Sequence, residues 1–193
     1  MSGTTKNKVE FGLNKLYVGL YNVSDAGVVS LGSPKRVPGA ISFAAEEQGE
    51  QTKLYADNSA YWTGYSGGEI EGDVEVALFE DDFKKDFLGY KRTTDGGLAL
   101  IKNVNKPSIY MMFEIEGDKQ KRRVILYNGS LGVIKREYNT IEDKKEPVTE
   151  KIDVTFIGDS ETGMTMASYV PGDSGYDTLF SNPPAPALQD DES

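Results

Sequence analysis

The sequence predicts a mainly β protein: an antiparallel β-sandwich or barrel with one short flanking α-helix. Three observations carry that prediction. Apolar and polar residues alternate with period two through several segments punctuated by Gly, Pro, Asn and Asp. A single stretch has helical spacing instead. At 193 residues, the chain fits one domain with a sizeable core.

The first strand is Leu13-Asn-Lys-Leu-Tyr-Val-Gly-Leu20, with Leu16, Val18 and Leu20 on one face. Pro38 to Phe43 reads as another. Leu54 to Tyr65, LYADNSAYWTGY, holds the only tryptophan and three tyrosines. Tyr55 and Tyr61 flank Asp57-Asn58, a tight-turn pair, so this stretch reads as a hairpin. Asp73 to Phe79 sets Val74, Val76 and Leu78 against Asp73 and Glu75. Glu80 to Gly89 is the helix. Its acidic first turn complements the helix dipole, Phe83 and Phe87 stand at i, i+4, and Gly89 suits a left-handed stop. Asp95-Gly96-Gly97 is a turn. Ser108 to Glu116 places Ile109, Met111, Phe113 and Ile115 opposite Tyr110, Met112, Glu114 and Glu116. Gly117-Asp-Lys turns the chain, and Arg122 to Asn128 returns with Val124 and Leu126 inward. Glu150 to Phe156 adds Ile152, Val154 and Phe156. Beyond Gly158 the signal thins, with Met164, Met166, Tyr169 and Val170 offering one last strand. The organisation expected is a domain over 1–180, with an N-terminal arm at about 1–10 and a long projecting hairpin loop at about 46–68. A flexible, proline- and acid-rich tail follows at 181–193.

Composition narrows the chemistry. There is no cysteine, hence no disulfide or thiolate chemistry. There is no histidine either, which removes the usual general base and the commonest metal ligand. Gly158-Asp-Ser160 and Gly172-Asp-Ser-Gly175 resemble hydrolase nucleophile motifs, but without a histidine to take the serine proton they read as turns. The carboxylates Glu46/Glu47/Glu50, Glu69/Glu71/Asp73/Glu75 and Glu80/Asp81/Asp82 are the material for glycosidase chemistry or for a plain solvated face. Asp81/Asp82/Asp86 lacks the spacing and central glycine of a calcium loop. No cofactor motif is present, and no apolar run is long enough to span a membrane. A net charge of −10 repels phosphate. The basic run Lys119 to Arg123 follows Glu114, Glu116 and Asp118 and suits cross-strand ion pairs.

The order of segments adds a resemblance. Lys8-Val-Glu-Phe-Gly-Leu13, Val37-Pro-Gly-Ala-Ile41, Tyr55-Ala-Asp-Asn58, Gly72-Asp-Val-Glu75, Asp81-Asp-Phe83 with Leu88-Gly89, and Phe113 to Lys119 running into Lys121-Arg-Arg-Val124 and Leu126-Tyr-Asn128 occur in one succession. Over roughly residues 8 to 157 the chain resembles the major tail protein family of long-tailed phages, chiefly those of Gram-positive hosts. That resemblance implies a non-catalytic virion subunit. It would stack as hexameric rings into a tail tube, with the inner strands joined into a barrel around the channel. It implies a long loop reaching an adjacent ring, and arms at both termini adding contacts. The partners implied are sister copies, a tape measure protein, a tail tip or distal tail protein and a tail terminator. DNA would transit without specific binding, after assembly in the host cytoplasm.

On this reading Leu54, Tyr55, Tyr61, Trp62 and Tyr65 are inter-subunit contacts rather than a plug for the subunit's own core. Carboxylates facing the channel would repel DNA within a Debye length of about 8 Å. Asp73, Glu75, Glu114 and Glu116 are the candidates, the alternative being plain outer surface. Rival readings are a carbohydrate-binding β-sandwich stacking sugars on Trp and Tyr, a glycosidase, and a tube protein of an injection or secretion machine.

Overall fold

The computed structural model describes residues 12–56, 59–116, 120–137 and 148–188, with backbone alone for 51–56 and 59–65. The expected N-terminal arm, the turn pair Asp57-Asn58, Gly117 to Lys119 and the last five residues of the tail lie outside the described residues. The strands are β1 (Leu13–Val23), β2 (Val29–Leu31), β3 (Lys35–Arg36), β4 (Ala40–Ala56) and β5 (Ser59–Val76). The helix α1 (Asp81–Leu88) follows. Then come β6 (Lys91–Arg92), β7 (Leu98–Ala99), β8 (Ile109–Ile115), β9 (Arg123–Arg136), β10 (Glu150–Phe156) and β11 (Met166–Tyr169). A nine-stranded antiparallel sheet runs β2-β1-β8-β9-β10-β5-β4, with β3 beside β1 and β11 beside β9; β6 and β7 pair separately. The sheet curls into a half-barrel that brings β4 near β1.

The inner face of the curl is the core. Leu16 and Val18 of β1, Ile109 and Met111 of β8, Val124 and Leu126 of β9, and Ile152, Val154 and Phe156 of β10 are buried there with Val74 and Val76 of β5. Each large apolar side chain so buried stabilises by roughly 1.5–3 kcal/mol. The helix α1 closes one end of this face with Phe83, Phe87 and Leu88. Its rings extend a stack that begins at Phe79, with centroids 4.7 Å apart from Phe79 to Phe83 and 5.0 Å from Phe83 to Phe87. Gly89 stops the helix at φ 72°, its N–H donating to the Lys84 carbonyl. A Cβ there would sit 2.2 Å from Val104 Cγ1, so the stop also lets the next loop pass close.

The structure corrects the inward set of β5. The strand ends at Val76, so Leu78 is exposed and Phe79 takes the buried place at the helix entrance. Period two ends where the strand does. β9 is longer than its sequence pattern, reaching Arg136 instead of Asn128. Asn128 stands at φ 51°, the pairing with β8 slips between Ile109 and Met111, and the pairing with β10 slips between Ile152 and Val154. Two irregularities reset the inward parity, which hides the second half of the strand.

The outer face is covered over β1, β8 and β9. Tyr21, Tyr110, Met112, Ile125 and Tyr127 form a second buried cluster, sealed by Leu179 from the chain after β11. Gly19, paired with Tyr110, leaves room for the ring: a Cβ would lie 2.3 Å from Tyr110 Cζ. Tyr17 stacks on Phe180 with centroids 5.0 Å apart. The Tyr127 hydroxyl donates to the Pro184 carbonyl at 3.1 Å, so this end of the chain is packed down at least to Pro184.

Candidate functional site

Beyond β9 the outer face changes character. The side chains alternating with the core on β4, β5 and β10 are Ala44 and Glu46, then Glu69, Glu71, Asp73 and Glu75, then Lys151, Asp153 and Thr155. Register aligns them in rows. Glu46, Glu71, Thr155 and Ser130 stand side by side, as do Ala44, Asp73 and Asp153. Gly72 permits the close approach of β4 and β5 here, since a Cβ would meet the Ala44 carbonyl oxygen at 2.1 Å. No described segment covers this half of the face. A shallow acidic groove of about 720 Å³ runs along it, lined by Glu46, Glu71, Asp73, Asp153 and their neighbours.

Some of these charges are compensated. Lys151 Nζ reaches Asp73 Oδ1 at 2.8 Å, and Lys135 Nζ reaches Asp153 Oδ1 at 2.7 Å. Asp73, Glu75 and Asp153 together hold the Lys151 ammonium above its ordinary range, the bond to Asp73 contributing most. Glu75 accepts from the Thr149 hydroxyl at 2.7 Å. Glu46, Glu69 and Glu71 are exposed, and the face carries a surplus of negative charge. Like charges this close raise one another's potential in water and project it outward over a Debye length of about 8 Å.

The four expected channel acids do not sit together. Asp73 and Glu75 lie on the bare acidic half-face. Glu114 lies on β8, under the covered half and mostly buried. Burial alone would raise its carboxyl, but Lys15 Nζ at 3.0 Å and Arg123 Nε at 3.1 Å outweigh this and hold it below the ordinary carboxylate range. Arg123 is its cross-strand partner, the ion pair that the basic run suggested. The same guanidinium lies 4.0 Å over the Tyr176 ring and 4.8 Å over Phe180, tying the last part of the chain to the sheet. Glu116 is exposed just past the end of β8, its backbone N–H donating to the Gly12 carbonyl. Glu46, Glu69, Glu71 and Asp153 complete the face. Glu69 and Glu71 share period-two parity with Asp73 and could have been found from it; Glu46 and Asp153 needed the register.

The aromatic stretch forms the outer part of the β4–β5 hairpin. Leu54 pairs with Trp62, Tyr55 with Ala60 and Gln51 with Tyr65, out to Ala56 with Ser59. β10 accompanies β5 only from Ile70 to Val76. From Ser59 to Glu69 the hairpin has no third strand among the described residues, a reach of about 35 Å at strand rise. Two sheet edges beside the acidic face lack a second strand among the described residues: β4 pairs there with β5 alone, and β8 leaves β9 at Gly129, so Leu131 to Arg136 pair there only with β10, while the Lys106 ammonium bonds the Leu131 and Gly132 carbonyls.

The two serine motifs are turns. Asp159 is buried, accepting from the Tyr21 hydroxyl at 2.7 Å and from the Thr162 N–H at 2.7 Å, while Ser160 is exposed. Asp173 accepts from the Val170 N–H at 2.8 Å after Gly172 at φ 108°. Both aspartates anchor backbone and neither faces a base. Asp82 and Asp86 of α1 are ion-paired to Lys85 and Lys35. No described helix is long and apolar enough to cross a membrane.

The family model for phage tail tube proteins matches residues 3–152. No curated protein sequence matches the chain. Among solved structures, the cryo-EM structure of the tube-terminating cap of the anti-feeding prophage aligns with TM-score 0.50 at 8% identity, over 88% of this chain and 99% of that one. The sheath–tube complex of an extracellular contractile injection system in its extended state aligns with TM-score 0.50 at 5% identity, over 84% and 93%. At such identities the likeness is one of fold.

Proposed function

The chain belongs to the phage tail tube protein family, structural components of the virion tail, and from that premise we propose how its surfaces build the tube. The bare outer face of β9, β10, β5 and β4 lines the channel. Each subunit closes on the next by joining its free β4 edge to the open stretch of the neighbour's β9, and hexameric rings result. The hairpin bearing Leu54, Tyr55, Tyr61, Trp62 and Tyr65 reaches past its own ring and docks on another. The protein has no catalytic activity. It meets a tape measure protein inside the tube, a tail tip or distal tail protein at one end and a terminator at the other, after assembly in the host cytoplasm.

One observation carries this reading: among the described residues, the sheet's outer face is sealed with aromatic packing over one half and left bare and acidic over the other, with an edge lacking a strand partner on each side of the bare half. An uncovered edge is a hazard to a lone sheet and an asset to a ring. Acids at the channel wall keep DNA from being held by counterion release, which lysines there would promote. Of the four acids first expected to line the channel, Asp73 and Glu75 belong to the wall. Glu114 is neutralised within the subunit and adds little to the repulsion.

The test is charge reversal of exposed, uncompensated acids. Phage carrying Glu46→Lys with Glu71→Lys should assemble tails of normal length, while genome delivery falls at least tenfold, measured as titre per physical particle. Normal delivery through tubes carrying both lysines would remove this face from the channel.

A further inference from the structure

Resting on the proposed β4-to-β9 closure, we infer that Lys106 is an assembly gate, occupying in the free subunit the backbone acceptors that a second copy's β4 requires. β8 pairs with β9 only as far as Ile109 with Gly129. Past that point the chain leading into β8 runs beside the vacated edge of β9. From there Lys106 donates from Nζ to the Leu131 carbonyl at 3.1 Å and to the Gly132 carbonyl. These acceptors sit where the ladder to β10 slips between Val154 and Ile152, in the stretch of β9 from which β8 has departed.

The lysine is held by carbonyls, with no carboxylate partner among the described residues, and burial lowers its pKa. Leaving returns a strongly hydrated ammonium to water, and an incoming strand's N–H groups can replace it. The device is therefore reversible. Lysine at a sheet edge is also a common way of keeping edges from pairing too soon. The occupant committed to is a second copy of this chain. Between Leu131 and Arg136, β9 carries no acid, its Lys135 and Arg136 being paired with Asp153 and Glu150 of β10; between Ala40 and Glu50, β4 carries Glu46, Glu47 and Glu50 and no base, so no acid on this stretch of β9 opposes the incoming strand. β4 is also long enough to cover the open stretch of β9 in full.

The experiment measures the threshold concentration for spontaneous tube formation of the full chain, by light scattering with negative-stain imaging, and the melting of each free subunit. Lys106→Met keeps the apolar stem and removes the cap; its threshold should fall about tenfold, the effect of one unblocked hydrogen bond. Lys106→Arg holds both carbonyls with a more weakly hydrated fork and should raise the threshold a few-fold, a result that stands even if the Met variant folds poorly. If wild type forms tubes and the Arg variant's threshold is unchanged, or the folded Met variant's is unchanged or higher, Lys106 is only a clamp on the β-bulge. The gate is then overturned while the ring reading stands. If none of the three chains forms tubes at any concentration, the β4-to-β9 closure fails and the gate with it.

Discussion

Replacing Glu150 by alanine should cost the free subunit about 3–5 kcal/mol, the loss typical of breaking a buried ion pair from one side. Glu150 is 3% exposed at the start of β10. One carboxylate oxygen accepts from the Phe79 N–H at 2.7 Å, and the other takes Lys84 Nζ at 3.4 Å and Arg136 Nε. Lys84 is itself 6% exposed, so the alanine leaves a buried ammonium without its acid and a buried N–H without its acceptor. The second loss alone is worth about 1–3 kcal/mol. For a chain of 193 residues, each kcal/mol moves Tm by roughly 2–4 °C, so a fall of roughly 6–20 °C is expected. Scanning calorimetry at neutral pH measures it. Glu150→Gln keeps an acceptor for Phe79 and should lose less, and pairing it with Lys84→Met should recover part of that loss. The acid limb gives an independent check. Burial would raise the Glu150 carboxyl, but Phe79, Arg136 and Lys84 outweigh it, so its folded pKa lies below the ordinary range. Its stabilisation is therefore complete at neutral pH and is lost as pH falls through that depressed value. Wild type should accordingly lose more Tm than Glu150→Gln on acidification. A penalty under about 1 kcal/mol for the alanine, or parallel acid limbs, would refute the view that this carboxylate locks α1 to the sheet.

Two further outcomes are expected. Arg123→Lys removes the planar group that lies over Tyr176 and Phe180 and bonds Glu114 and the Tyr176 carbonyl; protease cleavage between residues 171 and 184 should quicken several-fold while exchange at β8 and β9 stays slow. Trp62→Ala with Tyr61→Ala should leave the subunit's melting unchanged and reduce the number and stability of tubes seen by negative stain, and tubes as numerous and durable as wild type would return these side chains to the subunit's own packing.

The sequence showed most of the fold because most strands obey one simple period. Alternation alone grouped Leu16 with Val18, Ile109 with Met111, and Ile152 and Val154 with Phe156 on single faces, and set Val124 and Leu126 inward; all of these are buried. The helix was legible for a different reason: its dipole-matched acids, paired phenylalanines and glycine stop agree with one another. Where the reading failed, local irregularity overrode the period, as at Leu78 past the end of β5 and in β9 beyond Asn128. The candidate face was half legible. Asp73 and Glu75 were placed on it by alternation, but Glu114 obeys the same alternation and is bonded to Arg123, whose guanidinium stacks on the Tyr176 and Phe180 rings. Alternation reports the face of a strand and is silent on what later chain lies over it. The buried anchors Glu150 and Asp159 were also out of reach, because both depend on partners about seventy or more positions away.

On the proposed docking, the hairpin beyond Ile70 would tie the subunit's stability to its assembly. A two-stranded ribbon with no third strand beside it is marginal in water. Here it also carries Glu46, Glu47, Glu50 and Glu69 near its base, where like charges work against closure. In the free subunit its backbone hydrogen bonds should open at a free energy well below that of global unfolding, so amides of 49–56 and 59–67 should exchange far faster than those of β8. Docking on sister copies would supply the missing contacts, and binding that favours the folded state stabilises by mass action. Hydrogen exchange followed by mass spectrometry on free subunits and on assembled tubes should therefore show protection rising most in these segments, with β8 and β9 nearly unchanged. If the hairpin amides exchanged as slowly in the free subunit as those of β8, the ribbon would be stable by itself, and its length would give no reason to expect a neighbour.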